Sequence, residues 1–415
     1  MMAEGSALLS MGVPWPECND GVFYEDVVKS SNSSNCTQKK TRTLLEFYSS
    51  NYRYSASKEG WLQRIQNKQI QVDGEVSTSP NLMLRTGAQL LYHRLPWKEP
   101  FAPHTLHILF EDEHLLAINK PSGLQVLPGG AFQQRTVLTQ LHWYTMKSTQ
   151  LPPQHGDPSR LSRHFCAVPV HRLGRGTSGV LLCAKSRQAK TKLAADFKHD
   201  TISSVRNQAL LVTDKRRESE RRILKRYRAL VQGLMETDVV LIDQPIGKVE
   251  YPGVIGGLHM ATLEGKPSQS KAMVVYRNKE ENSTLVEVQI FSGRPHQIRI
   301  HLASIGHPLV GDPLYVAGGI PSTTAESTLG MLHYETCAED GGHNKPITPL
   351  PGDCGYHLHS HRLTFDHPIT SKKMNIIAPP PAALLAQHEK KHMLTIFASK
   401  MDDWSSAQQR GLVLS

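Results

Sequence analysis

Residues 171–186 read HRLGRGTSGVLLCAKS, a short basic loop that runs directly into a continuous apolar segment. Glycine recurs at Gly174, Gly176 and Gly179, which makes the loop flexible. The apolar run behind it is short and typical of a buried strand. A flexible basic loop that leads into a buried strand predicts the rim of an active site, although residues 171–179 contain no carboxylate and no thiol.

The composition of the whole chain favours a folded protein with a polyanionic partner. The chain has 415 residues, of which 39% are hydrophobic and 20% charged, and its formal net charge is +10. This length predicts two or three domains with a sizeable core. The positive excess favours a nucleic acid as partner, and a membrane surface would satisfy the same charge. No apolar run approaches the ~20 residues that a membrane-spanning helix needs.

Cysteine use and the first residues predict an intracellular protein. The six cysteines are scattered and form no CxxC pair, which favours reduced thiols inside the cell. Residues 1–20 carry acids and no Lys or Arg, which argues against an organellar transit peptide. We therefore expect a soluble intracellular protein, in the cytoplasm or nucleus rather than in an organelle.

Shifts in pattern divide the chain into regions. A low-complexity stretch, SSNSSNCTQ, lies near the start; two short helical candidates and an IQVDGEV hairpin that turns at Asp73-Gly74 follow it. Prolines between residues 96 and 103 mark a linker. The predicted regions are a loosely ordered leader (1–40), a small module (41–95), a main domain (104–370) with a solvated charged insertion at about 199–224, and a C-terminal extension (371–415).

The main domain is rich in strand candidates and poor in helices. Strand-like runs occur in LHILFEDEHLLAINK, VLLCAK, YRALVQG, KAMVVYRN, TLVEVQIFSG and HLHSHRLTF. Helical spacing is found in QAKTKLAADFKH and in RPHQIRIHLASIG. Consecutive strands with few helices favour an α+β domain built on a mixed, mostly antiparallel sheet.

Five separate stretches resemble one known family. They are NKPSGLQVLP (119–128), HRLGRGTSGVLLCAKS (171–186), KRYRALVQG (225–233), SGRPHQIRIHLASIGHPLVGDPLY (292–315) and LHSHRLTFDHP (358–368). Their order and spacing resemble the RluA-type family of RNA pseudouridine synthases, whose domain has a central cleft. The small module at 41–95 is similar to the S4-type RNA-binding modules that often precede this domain.

The resemblance implies an isomerase that acts on RNA. Such enzymes extrude a uridine, cleave its N-glycosidic bond, turn the uracil and rejoin it through carbon. The extruded base needs a positive surface that holds the RNA backbone. The resemblance implies RNA as the partner and no metal or organic cofactor, and we expect no membrane contact and a monomeric chain. The histidine-rich tail does not have the ligand spacing of a zinc site.

The family's site residues are carried over onto matching positions. Arg172 corresponds to the arginine at the flipped nucleotide, Tyr227 to the tyrosine that packs on the uracil, and Arg299 to the arginine that pairs with the catalytic aspartate. We further expect His171, Arg294 and His296 to contact RNA.

The sequence departs from the family at the catalytic position. The family pattern His-Arg-Leu-Asp is replaced by HRLG, so Gly174 stands where the aspartate acts as nucleophile or as base. Glycine can neither attack C1′ of the ribose nor remove a proton. The nearest acids in sequence, Asp157 and Asp196, are not expected to reach the same point. An unpaired buried charge is costly, so either another carboxylate lies within ~4 Å of the Arg299 guanidinium or Arg299 is solvated; of these two we expect solvation.

Three functional hypotheses follow. The chain is an active isomerase in which an acid from elsewhere or an unusual mechanism replaces the aspartate. Alternatively, it is a catalytically impaired pseudoenzyme of the same family that binds RNA without modifying it. A third reading is a basic ribosome-associated structural protein, which would not need an intact uridine pocket around Tyr227.

Overall fold

The computed structural model describes residues 9–29, 42–53, 55–148, 166–206, 222–251, 254–321 and 353–390. Asp157 and most of the charged run before residue 222 lie outside these described residues. No helix in the described ranges is both long and apolar enough to cross a bilayer. The four cysteines in these ranges are free thiols.

A small sheet and two helices occupy most of the first part of the chain. The elements are β1 (Ser10–Met11), β2 (Val22–Val27), β3 (Arg42–Thr43), α1 (Leu44–Asn51), α2 (Lys58–Gln66), β4 (Ile70–Val72), β5 (Glu75–Val76), β6 (Met83–Leu84) and β7 (Gln89–Arg94). The sheet has the order β2-β7-β4-β5, and β3 pairs with β6. Helix α1 starts in a capping box between Thr43 and Glu46. Both predicted helices and the predicted hairpin are confirmed.

The prediction of a loosely ordered leader is wrong for residues 9–29. Strand β2 pairs with β7 along its whole length. Strand β1 pairs with the main sheet at His107, and the Trp15 indole donates a hydrogen bond to the Ala102 carbonyl at 2.8 Å. The sequence of β2, VFYEDV, shows no apolar alternation, and most of its side chains are exposed. The order of this segment comes from hydrogen bonds to a distant partner strand.

The main body is an α+β domain around one sheet of eleven strands. Its elements are β8 (Leu106–Glu111), β9 (Leu115–Lys120), α3 (Val137–Ser148), β10 (Val168–Pro169), β11 (Ser178–Ala184), α4 (Arg187–Arg206), β12 (Ile223–Gln232), β13 (Val239–Asp243), β14 (Ile246–Tyr251), β15 (Val254–Ala261), β16 (Gln269–Asn278), β17 (Ser283–Ile290), α5 (Gln297–Ser304), β18 (Leu358–Asp366) and β19 (Lys373–Ile377). Short 3₁₀ turns occupy Ala317–Gly319 and Ala382–Leu384.

The sheet is mixed and mostly antiparallel, as predicted. Its main path is β1-β8-β9-β11-β18-β12-β17-β16-β13, with β10 also paired to β11 and β19 to β18. The pairing of β11 with β18 is parallel, and the other pairings of this sheet are antiparallel. Strands β14 and β15 form a separate hairpin. The sequence did not predict β13, β14, β15 or α3.

The sheet of the main domain continues past the predicted end at residue 370. Helix α4 continues to Arg206, and most of the charged insertion predicted at about 199–224 lies outside the described residues. At the other end, β19 pairs with β18, and Leu384 packs against Leu285. Glu389 forms an ion pair with Arg228 at 3.1 Å. These contacts show that the domain extends at least to Glu389. The sequence did not predict this extension, because the short strand β19 is held by hydrogen bonds to β18 and has no strong pattern of its own.

The parallel pairing of β11 with β18 brings two chain segments unusually close. Gly179 has a φ of +107°, and a Cβ atom there would lie 2.3 Å from the Ser360 carbonyl oxygen. At Gly176, a Cβ atom would lie 2.6 Å from the Asp353 carbonyl oxygen. Glycine is needed at both positions because the backbone of residues 353–360 fills the space that a side chain would take.

We expect Gly179→Ala to destabilise the protein by at least about 3 kcal/mol, because it combines an unfavourable φ with a backbone clash. Gly306→Ala is the matched control. Gly306 has a φ of +85° and no atom within 4 Å of its Cβ position. That control should cost about 1 kcal/mol, the backbone part alone. Urea unfolding of both variants measures the difference, and equal midpoints would contradict the close approach.

Candidate active site

A cleft of about 780 Å³ lies where β11 and β18 begin. Its walls come from the loop before β11, the segment before β18, strand β12 and the first half of α5. All seven site residues named from the sequence line this one cleft: His171, Arg172, Gly174, Tyr227, Arg294, His296 and Arg299. Positions more than a hundred residues apart in the chain are thus brought to one surface.

The place of a side chain at position 174 is taken by Tyr356. A Cβ atom on Gly174 would lie 2.9 Å from the Tyr356 hydroxyl and 3.3 Å from the Thr177 hydroxyl. These two hydroxyl groups are themselves 3.2 Å apart and hydrogen-bonded. Tyr356 is 5% exposed and belongs to the main core. Burial raises its pKa, so the phenol is neutral at neutral pH.

Arg299 is buried and paired, contrary to the expectation of a solvated guanidinium. Its Nε and Nη2 donate to the two carboxylate oxygens of Asp312, each at 2.7 Å. Asp312 also accepts the backbone N–H groups of Leu314 and Tyr315. The two charged side chains are 2% and 1% exposed. A bidentate pair with further hydrogen bonds satisfies the charges that burial would otherwise penalise.

One donor of Arg299 remains unused. Within the described residues, its buried Nη1 has no hydrogen-bond partner. The guanidinium carbon lies 4.4 Å from the ring centroid of Tyr356 and 4.9 Å from that of Tyr315. A buried donor without an acceptor is unfavourable, and Arg299 lines the cleft, so an acceptor from a bound molecule would satisfy it.

Tyr227 lies on the cleft floor as a neutral aromatic ring. It is on β12, where it pairs with Ser360 of β18 and hydrogen-bonds to the Ser360 side chain. Burial raises the pKa of Tyr227 to about 12. The phenol therefore offers a stacking face and an O–H group, and it is not an anionic base at neutral pH.

Two of the three histidines that line the cleft, His171 and His296, are also neutral. Burial and Lys225 lower the pKa of His171 to about 3, and burial and Arg299 do the same for His296. His171 Nε2 accepts the Leu182 N–H at 3.0 Å, so this ring supports the loop. Tyr315 donates its hydroxyl proton to the His259 carbonyl, so His296 Nδ1 donates to Tyr315 at 2.9 Å. His296 Nε2 is then an acceptor.

The positive charge of the cleft comes from arginine and lysine. Arg172 is exposed, and in the described part of the chain no carboxylate pairs with it. Arg294 donates to the Pro267 carbonyl at 3.2 Å. Arg175 differs, because it forms an ion pair with Asp353, donating from Nε at 2.8 Å. The cleft is thus strongly cationic, which suits a phosphate backbone.

Several residues in or beside the site were not found from the sequence. Arg175, Asp353 and Tyr356 meet only because the loop before β11 touches the segment before β18. Lys120 lies in a quoted motif, yet its role was missed: its Nζ donates to the carbonyls of Pro121, Leu124 and Arg175. Burial lowers its pKa to about 7.

The acids nearest in sequence do not supply the missing group. Asp196 is 4% exposed and pairs with Arg222 at 2.6 Å, and it does not line the cleft. The expectation that Asp196 would not reach the site is confirmed. Asp157 lies outside the described residues.

The comparisons with known proteins agree with this fold and cleft. Residues 114–304 match the family model described as RNA pseudouridylate synthase. The chain is 53% identical to RNA pseudouridine synthase 5 of Arabidopsis thaliana, over 91% of this chain and 98% of that protein. It is 50% identical to RNA pseudouridine synthase 5 of Oryza sativa subsp. japonica, over 93% of each chain.

A more distant relative extends the match beyond plants. An uncharacterized RNA pseudouridine synthase of Synechocystis is 36% identical over 84% of this chain and 97% of its own length. Fold, cleft and relatives define an RNA-modifying isomerase. The chain belongs to the RNA pseudouridine synthase family. The resemblance drawn from the five motifs is confirmed.

We expect Gly174→Asp to raise isomerisation only when Tyr356 makes room. The backbone permits an aspartate, because Gly174 is not among the residues with positive φ. The Tyr356 hydroxyl crowds its Cβ atom, so Gly174→Asp combined with Tyr356→Phe should exceed Gly174→Asp alone. The new carboxylate can accept from Thr177. Tritium release from RNA labelled at uridine C5 should rise at least about 10²-fold over the native chain.

Tyr356→Phe alone is the control and should not raise the rate, because it adds no carboxylate. A double variant no faster than the native chain would show that the catalytic group does not act from position 174.

Proposed function

We propose that this chain binds uridine-containing RNA with one extruded nucleotide in the cleft and isomerises that uridine to pseudouridine slowly. The observation that carries the proposal is one cleft lined by the residues that we expect to bind uridine, with no side chain at the catalytic position. Tyr227, Arg172 and Arg299 line one cleft, while Gly174 has no side chain. A chain that had lost contact with uridine would have no need of this arrangement.

The cleft residues are given separate roles in the proposal. Tyr227 offers its ring to the uracil, because it is neutral and held from behind by Ser360. Arg172 holds the backbone of the extruded nucleotide, because it is exposed and without a carboxylate partner within the described residues. Arg294 adds charge, and His296 offers an acceptor rather than a cation. His171 positions the loop through its bond to Leu182.

A second candidate function is supported by Tyr356. Its hydroxyl fills the place of the missing carboxylate, and Arg299 is satisfied by Asp312 instead. The site is therefore stable without a catalytic acid at 174, as a pseudoenzyme that binds RNA without modifying it would require. The small module at residues 41–95 adds RNA contacts in either case, in accordance with its similarity to S4-type modules.

Tritium release decides between the two functions. Purified protein is incubated with cellular RNA labelled at uridine C5, and release to water is compared with pseudouridine formed in the same RNA. Slow release in proportion to pseudouridine is the expected result, since the pocket is present and the carboxylate at 174 is absent. RNA binding without release over many hours would support the pseudoenzyme.

We expect RNA affinity to fall steeply with salt and to depend on Arg172 through its charge. Contact with about five phosphates gives a log–log slope of roughly −4. Arg172→Gln should reduce the slope by about 1. His296→Gln should leave the slope unchanged between pH 6 and pH 8, because a pKa near 3 keeps that ring neutral throughout. Fluorescence anisotropy at several salt concentrations measures each slope.

Lys279→Gln is the matched control for charge loss. Lys279 lies in the turn before β17, whose far end reaches the cleft at Ile290. The eight-residue strand places this turn roughly 23 Å away from the cleft. Equal changes in slope from Lys279→Gln and Arg172→Gln would leave Arg172 with a diffuse electrostatic role only.

A further inference from the structure

We propose that Asp353 supplies the catalytic carboxylate that position 174 lacks, an inference that rests on the isomerase function proposed above. Asp353 is the one acidic residue among the described residues that line the cleft. It stands there with five cations, which are Arg172, Arg175, Lys225, Arg294 and Arg299.

The backbone places Asp353 beside the loop of residues 171–179, in which Gly174 replaces the family's aspartate. The Asp353 carbonyl oxygen lies only 2.6 Å from the position that a Cβ atom of Gly176 would take. Three residues later, the Tyr356 hydroxyl lies 2.9 Å from the Cβ position of Gly174. The segment from Asp353 to Tyr356 thus covers the loop that carries the catalytic position. The Asp353 carboxylate therefore lies beside the loop that carries Gly174, although it belongs to a distant part of the chain.

Two arginines of the cleft, Arg175 and Arg299, each pair with a carboxylate. In the family pattern, an aspartate at position 174 would pair with Arg299. Here, Asp312 occupies Arg299, and Asp353 pairs with Arg175, the residue next to Gly174. Arg175 and Arg299 therefore each pair with one carboxylate, and the Asp353 carboxylate, held by Arg175, faces the cleft. This ion pair holds the Asp353 carboxylate in a defined position at the cleft.

The geometry of Asp353 leaves one oxygen available. Its Oδ1 accepts both hydrogen bonds from Arg175. Within the described residues, Oδ2 accepts no hydrogen bond, and the side chain is 33% exposed while Arg175 is 11% exposed. Asp312 is not available in this way, because it is 1% exposed and both of its oxygens accept hydrogen bonds. Tyr356 remains a neutral phenol and is a poor nucleophile.

The proposed step is balanced in atoms and electrons. Asp353 Oδ2 attacks C1′ of the ribose, a C1′–O bond forms, and the C1′–N1 bond breaks with its electron pair on uracil N1. The uracil turns, and C5 attacks C1′ while the C1′–O bond breaks and returns its pair to the carboxylate. C5 then loses its proton to water, and N1 gains one. The net change is isomerisation, and the tritium at C5 is released.

The test compares Asp353→Asn in two backgrounds. The amide oxygen still accepts from Arg175, so the loop contact is retained while the nucleophile is lost. In the native background we expect tritium release to fall on the order of 10³-fold with RNA affinity unchanged within about twofold. In the Gly174→Asp/Tyr356→Phe background the same substitution should change the rate less than about threefold, because that background has its own carboxylate.

Asp238→Asn is the matched acid-to-amide control. Asp238 is 79% exposed and pairs with Arg277 at 2.6 Å, so its loss should not alter release. A second variant, Asp353→Gly, should regain release in proportion to added formate, which supplies a carboxylate without restoring the side chain. Recovery of activity by formate would show that Asp353→Gly removes the catalytic carboxylate and leaves the protein folded.

The outcomes separate the two proposals. If the native chain releases tritium and Asp353→Asn releases it at the same rate, the role of Asp353 is overturned and the isomerase function stands. Equal losses in both backgrounds, without rescue by formate, would make Asp353 structural and overturn the inference. If the native chain binds RNA but never releases tritium, the isomerase function fails, and the inference fails with it.

Discussion

The close approach of two backbone segments is the constraint on which the site depends. Residues 174–179 and 353–360 touch so closely that side chains are excluded at Gly176 and Gly179. This contact begins the parallel pairing of β11 with β18, which joins the two antiparallel halves of the sheet. It also creates the cleft, since both segments form its wall. Fold and site are therefore fixed by the same packing.

Electrostatics explains how the site remains folded without a carboxylate at 174. A buried guanidinium without a partner would cost several kcal/mol, and Asp312 removes that cost by a bidentate pair with Arg299. The Tyr356 hydroxyl takes the place that a side chain at position 174 would occupy on the wall of the cleft. The loss of the family's aspartate thus affects chemistry rather than stability, and the remaining cations still attract RNA.

The sequence predicted much of the fold because short motifs carry strong local signals. The hairpin at Asp73-Gly74, helix α5 and the strand after Gly179 were all predicted from periodicity and turn residues. Elements without such signals were missed. Strand β2 is mostly exposed, and β19 is short, so each depends on hydrogen bonds to a distant strand. The solvated state expected for Arg299 was wrong because Asp312, in the same quoted motif, was not identified as its partner.

By itself the sequence determined the family, the α+β class, seven of the residues that line the cleft and the absence of an acid at Gly174. These properties follow from residue identity and from spacing along the chain, which are local quantities. Only the tertiary structure decided which acid pairs with which arginine. Arg175 pairs with Asp353 from a distant segment of the chain, and the turn after helix α5 brings Asp312 back to Arg299. Such pairings depend on distances and burial, and a linear sequence contains neither.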